Sequence, residues 1–191
     1  MMFAMIYETL GRLTTLALDV ITATLARLGG DTSVTKGAVE QRLLAIDADV
    51  RRLGATAAPL RRAPGALQAG GVEGRLTAFW SLAYFTRHLV RAAERGGAAA
   101  ASVRSPDWDR ARAATSQNIA ALSSALADRV PGPVQEDLDF DGQDEQATPQ
   151  ARAHGDVLRQ LERINLTLVV LVEDVAPGSV GDSPSAAPVP A

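Results

Sequence analysis

The sequence predicts an all-α fold, an up-down bundle of four to five long antiparallel helices. Three observations carry this. Apolar residues recur in three- and four-residue steps in five segments, the spacing that lines side chains along one helix face. Gly and Pro cluster between those segments, where they punctuate helices. The apolar content of 47% is mostly Ala, Leu and Val, with only 4% aromatics, a composition that favours helices over sheets.

The central segment is 74–94. It holds Phe79, Trp80, Tyr84 and Phe85, four of the chain's eight aromatics. Its inward line runs through Leu76, Phe79, Ala83, Thr86, Val90 and Ala93, with neither Pro nor an interior Gly. Gly96-Gly97 is read as its stop, followed by an Ala-rich linker.

The first segment, 3–28, repeats the pattern at Phe3, Ile6, Leu10, Leu13, Ala17, Val20, Thr24 and Leu28, with Gly29-Gly30 as its end. Asp31, Thr32 and Ser33 are candidate N-caps for the second. That helix follows Val39, Leu43, Ile46, Val50, Leu53, Ala57 and Leu60, and Pro59 should kink or stop it near Ala58. Pro64, Gly65, Gly70 and Gly71 make the next loop. Ser105-Pro106-Asp107 is a start signal, with Ser at the N-cap and Pro in the first turn. A fourth helix over 106–130 shows a thinner stripe, Trp108, Ala111, Thr115, Ile119, Leu122 and Leu126, and Pro131-Gly132-Pro133 ends it. The acidic stretch within 131–149 reads as a long mobile loop. A fifth helix over 150–176 uses Val157, Leu161, Ile164, Leu168, Leu171 and Val175, and Pro177-Gly178 stops it. Residues 1–176 therefore form one bundle, and 177–191 form a disordered Pro/Ala/Ser tail.

Bulk properties narrow the function. A net charge of −3 gives no basic field for nucleic acid. The absence of Cys excludes disulfides and thiolate chemistry. No segment is dry enough to span a membrane: Glu8, Arg12, Asp19 and Arg27 interrupt the first, and the longest late apolar run, Ile164–Val172, has nine residues where about 20 are needed. The first charge being the acidic Glu8 argues against a secretory leader.

Four features hold potential chemistry. Asp137, Asp139 and Asp141 followed by Gly142 match the first half of a calcium loop. Asp144 and Thr148 break its second half, so the expected alternative is a solvated acidic loop. On the outer face of the central helix, Trp80, Tyr84, Arg87, His88, Arg91 and Arg95 share a third of the circumference. Such an aromatic-plus-Arg stripe can hold an aromatic carboxylate, a phosphate or a partner helix. The competing reading is aromatics packed under a neighbour with Arg heads in water. Asn165 falls on the apolar face between Leu161 and Leu168, where a polar residue fixes register. Leu166 and Val170 lie on the outer side of the same helix and suggest a second covered face. The two histidines, His88 and His154, form no metal-ligand spacing. With no nucleophile elbow and no Gly-rich phosphate loop, the residues point to a non-enzymatic chain without metal or cofactor.

The order of elements, with Glu40–Leu53 running into Ala58-Pro59, then Arg75-Leu76 to Glu94, then Leu158–Asp174, resembles the soluble cytosolic region of the fusaric acid resistance, or aromatic acid exporter, family. The resemblance covers roughly residues 3–176. It implies a cytoplasmic oligomerisation or regulatory module at the inner face of the cell membrane, partnered with a membrane-transporter component or with itself. Members of that family carry transmembrane helices before this region, and this chain lacks them. Two further functions follow from the residues alone: a sensor for aromatic carboxylates through Trp80, Tyr84, Arg87 and Arg91, or a calcium-responsive module through the acidic loop.

Overall fold

The computed structural model describes residues 2–62, 65, 71–102, 105–136, 138–140 and 148–180. The chain is an all-α bundle of five helices: α1 (Met2–Leu28), α2 (Lys36–Arg62), α3 (Val72–Ser102), α4 (Pro106–Leu126) and α5 (Pro149–Val175). No strand occurs among the described residues.

The ends of α1 and α5 follow local rules. At the end of α1, Gly30 takes φ +95°. Its N–H donates to the Arg27 carbonyl at 3.0 Å, and the Asp31 N–H donates to the Ala26 carbonyl at 2.9 Å. That paired closure needs a left-handed residue, and Gly takes it without a Cβ clash. Thr148 caps α5 by accepting the Ala151 N–H, and Pro149 occupies the first turn. Ser105 caps α4 in the same way, accepting the Trp108 N–H at 3.1 Å with Pro106 behind it.

Other ends depart from the sequence reading. Asp31 does not cap α2. Its carboxylate accepts the Ser33 hydroxyl and amide, which hold its pKa below the ordinary value, and Thr35 caps the helix by accepting the Ala38 N–H. Helix α2 continues through Pro59 to Arg62 instead of stopping near Ala58. Beyond the break lies Leu60, buried in a cluster with Ile6, Leu10, Leu53, Leu76 and Phe79. Burying a Leu contributes about 2–3 kcal/mol, comparable with the roughly 3 kcal/mol a helical Pro costs. Helix α3 likewise runs through Gly96-Gly97 to Ser102. Each Gly costs only about 1 kcal/mol, and the following alanines are the best propagators known. Helix α4 ends at Leu126, four residues before the expected boundary, because Asp128 adopts the left-handed turn (φ +54°). The Arg129 N–H then donates to the Ser124 carbonyl at 2.9 Å.

Four helices form the main bundle. Helix α3 packs on α1 and on α5, α5 packs on α4, and α1 makes a lighter contact with α4. Helix α2 lies along α1. Direction follows from paired residues. Arg12 and Asp49 pair at similar distances from the turn that joins α1 to α2, which runs α2 back along α1, and Arg75–Asp174 with Arg163 over Phe85 runs α5 against α3. Ser105 meets His154 while Asn118 meets Asn165, so α4 and α5 run parallel. The first four helices alternate as expected, and the fifth repeats the direction of the fourth, a crossover known in bundles.

That repeat requires the chain to return along α4. Its described part is docked on α4 rather than detached. Gln117 donates to the Pro133 carbonyl at 2.9 Å, Arg110 donates to the Asp139 carbonyl at 2.8 Å, and Leu138 is buried. Arg110 also sits over the Phe140 ring. Residues 137, 141–147 and 181–191, which include Asp137, Asp141 and Gly142 of the calcium half-loop and most of the expected tail, lie outside the described residues.

Candidate functional site

The structure divides the outer face of α3, where Trp80, Tyr84, Arg87 and Arg91 are the candidate ligand residues. Its inner side is consumed by the core: Phe79, Leu82, Thr86 and Leu89 are fully buried. Trp80 is half-buried, its ring 6.0 Å from that of Phe79. Arg87 is paired with Asp47 of α2. Tyr84 is 56% exposed, edge-on to Phe85 and 4.3 Å from the His88 ring. Arg91 and Arg95 are exposed. Trp80 and Arg87 therefore belong to the packing between α3 and its neighbours, whereas Tyr84 and Arg91 remain on the surface. The clefts of several hundred cubic ångströms lie elsewhere. One of about 460 Å³ opens at the α1–α2 corner beside Arg27, Lys36 and Glu94. Another, about 430 Å³, lies between α1 and the C-terminal ends of α4 and α5 beside Glu8, Arg75 and Asp128.

Asp139, the described member of the calcium candidate, is exposed, and its main-chain carbonyl is taken by Arg110. Asp137 and Asp141 lie outside the described residues. Among the described residues no group of three His, Asp or Glu side chains is placed to hold a metal.

Sequence reasoning found Asn165 but not its partners. Its Nδ2 donates to Thr115 Oγ1 and to the Leu161 carbonyl, both at 2.8 Å. Its Oδ1 accepts from Asn118 Nδ2 at 2.8 Å. Asn118 spends its other amide hydrogen on the Gln135 carbonyl and accepts the Gln135 N–H at 2.7 Å. All four carboxamide hydrogens are placed, so the chain of bonds is satisfied inside the bundle. It locks α4 to α5 and the returning segment to α4. Asn118 falls one turn from Thr115 on the buried face, which is the signal that would have exposed it.

A second polar contact joins the starts of α4 and α5. Ser105 Oγ lies 3.0 Å from His154 Nε2. Oγ also accepts the Trp108 N–H, and the imidazole tautomer sets which of Oγ and Nε2 donates in the contact between them. Burial pushes the His154 pKa below its ordinary 6.5, and Asp107 opposes this. The sign follows. Well above pH 6.5 the ring is neutral folded and unfolded, so it contributes no pH dependence. As pH falls below 6.5 the unfolded chain takes up a proton first, and stability drops until the folded ring also titrates. One proton limits the slope to about 1.4 kcal/mol per pH unit. Thermal melts between pH 7.5 and 5 should show this loss, and His154→Gln should flatten it. An unchanged slope in the variant removes His154 as the cause.

The remaining feature is the outer face of α5. Leu166 and Val170 are each 56% exposed, although the opposite face of the helix is fully packed. No described helix is long and apolar enough to cross a membrane. Comparison with protein-family models, with characterised proteins and with solved structures finds no match to this chain.

Proposed function

We propose that this chain is a non-enzymatic interaction module, a helical bundle that works by presenting a helix face to a protein partner. The observation that carries the reading is the apolar ridge on α5, Leu166 with Val170 and the partly covered Val169. Removing one such side chain from water contributes about 1.5–3 kcal/mol, and the ridge stands on a rigid element whose inner face is locked by Asn165. The finer reading is a cytosolic oligomerisation or regulatory module of an exporter of aromatic-acid type. That part draws its support from the order of the helices.

The test is affinity capture of the full chain from detergent-solubilised membranes, with Leu166→Glu alongside. An integral membrane transporter retained by the wild type and lost in the variant is expected. Equal recovery by both chains sinks the reading. Quenching of Trp80 fluorescence by millimolar aromatic carboxylates, abolished by Tyr84→Ala, would redirect it to small-ligand binding.

A further inference from the structure

We infer that the outer face of α5 pairs with the same face of a second copy, antiparallel, about a twofold axis at Leu166. The inference rests on the interaction-module reading and names its partner.

The residues on that face are Arg159, Glu162, Arg163, Leu166, Val169, Val170 and Glu173. They recur in three- and four-residue steps, a seam that a facing helix can fill. The charges decide what that helix is. Arg lies at the N-terminal side of the ridge and Glu173 at the C-terminal side, each seven residues from Leu166. A twofold at Leu166 places residue 166 opposite itself and Arg159 opposite Glu173 of the second copy. It also sets Leu166 against Leu166, with Val169 and Val170 covered by the aliphatic stems of Glu162 and Arg163 of the second copy. A parallel pairing would put Arg159 against Arg159 and Glu173 against Glu173, which repels. The charges at the two ends of the seam are therefore complementary in the antiparallel direction and repel in the parallel one, which fits an isologous interface.

Both charged residues keep capacity for the partner. Among the described residues Arg159 pairs with Asp156 alone, at 3.4 Å. Glu173 accepts the Gly178 and Val180 N–H groups at 2.9 and 3.4 Å, and a carboxylate has further lone pairs. The seam spans about 21 Å of helix, so the buried area falls at the low end for specific interfaces. The association is correspondingly weak and reversible.

Sedimentation equilibrium of the full chain up to about 500 µM should show a monomer–dimer equilibrium. Leu166→Glu should raise the dimer Kd at least about 100-fold while leaving the helical circular dichroism unchanged. Arg159→Glu should weaken the dimer and Arg159→Glu with Glu173→Arg should restore it. Because the chain has no Cys, crosslinking reads the direction independently. Chains carrying Arg159→Cys, mixed with chains carrying Glu173→Cys, should form a mixed disulfide in preference to either homodimer.

A wild-type chain that stays monomeric, or a dimer indifferent to Leu166→Glu, overturns the pairing. If the monomer still captures a membrane protein through Leu166, self-pairing fails and the interaction module stands. If Leu166→Glu changes neither association nor capture, both fail.

Discussion

Asn118→Ala lowers the stability of the bundle by about 3–5 kcal/mol. This side chain is fully buried and makes three hydrogen bonds. Truncation leaves Asn165 Oδ1 inside the bundle with no donor, and a buried orphan acceptor costs about 1–3 kcal/mol. It also strips the Gln135 N–H and carbonyl of their partners, at about 1 kcal/mol each where water reaches them. For a domain of this size the melting temperature should fall by about 10 °C. The segment around Gln135 loses part of its tether as well, so proteolysis between 131 and 140 should quicken before global unfolding. Asn165→Leu should cost less, because Thr115 still donates to the Ala111 carbonyl and Asn118 still holds Gln135. A double-mutant cycle between positions 118 and 165 should return a coupling of about 1–2 kcal/mol. A change under about 1 °C in Asn118→Ala would show that the polar chain does not hold the returning segment.

Phe79→Ala should destabilise by about 3–5 kcal/mol, the range for large buried aromatics. Phe79 is fully buried where α1, α2 and α3 meet, among Ile6, Leu10, Leu13, Leu53, Leu60, Val72 and Leu76. The predicted effect is not uniform. The last turns of α2 pass through Pro59 and depend on Leu60 reaching this cluster. With Phe79 removed, amide exchange should rise first in residues 53–62 of α2. Trp80, whose ring lies 6.0 Å from Phe79, should shift its emission to the red. Uniform exchange along α2 would break the proposed link between Phe79 and the helix beyond Pro59.

The two predictions also show where sequence reasoning reached and where it stopped. The inward faces were legible residue by residue: Ile6, Leu10, Leu13 and Ala17 in α1, and Leu161, Ile164 and Leu168 in α5, are all fully buried. The caps at Ser105 and the stop at Gly30 were legible too, because a cap is a bond between residues a few positions apart. Asn165 was readable as a polar residue on an apolar face, but its partners sit 47 and 50 positions away, and nothing local names them. The aromatic-plus-Arg face of α3 was read as one surface. It proved to be two, because Asp47 takes Arg87 from across α2 and the Phe79 cluster half-buries Trp80.

By itself, the sequence determined that five rods form and which side of each is oily. Helical periodicity is a property of neighbours three and four residues apart, and no distant contact is needed to set it. The tertiary structure alone decided that α2 survives Pro59, that α5 runs parallel to α4, and that Asn118 joins Asn165 to the returning chain. Those outcomes depend on burial and hydrogen bonds between segments far apart in sequence, whose free energies match or exceed the local preferences they override.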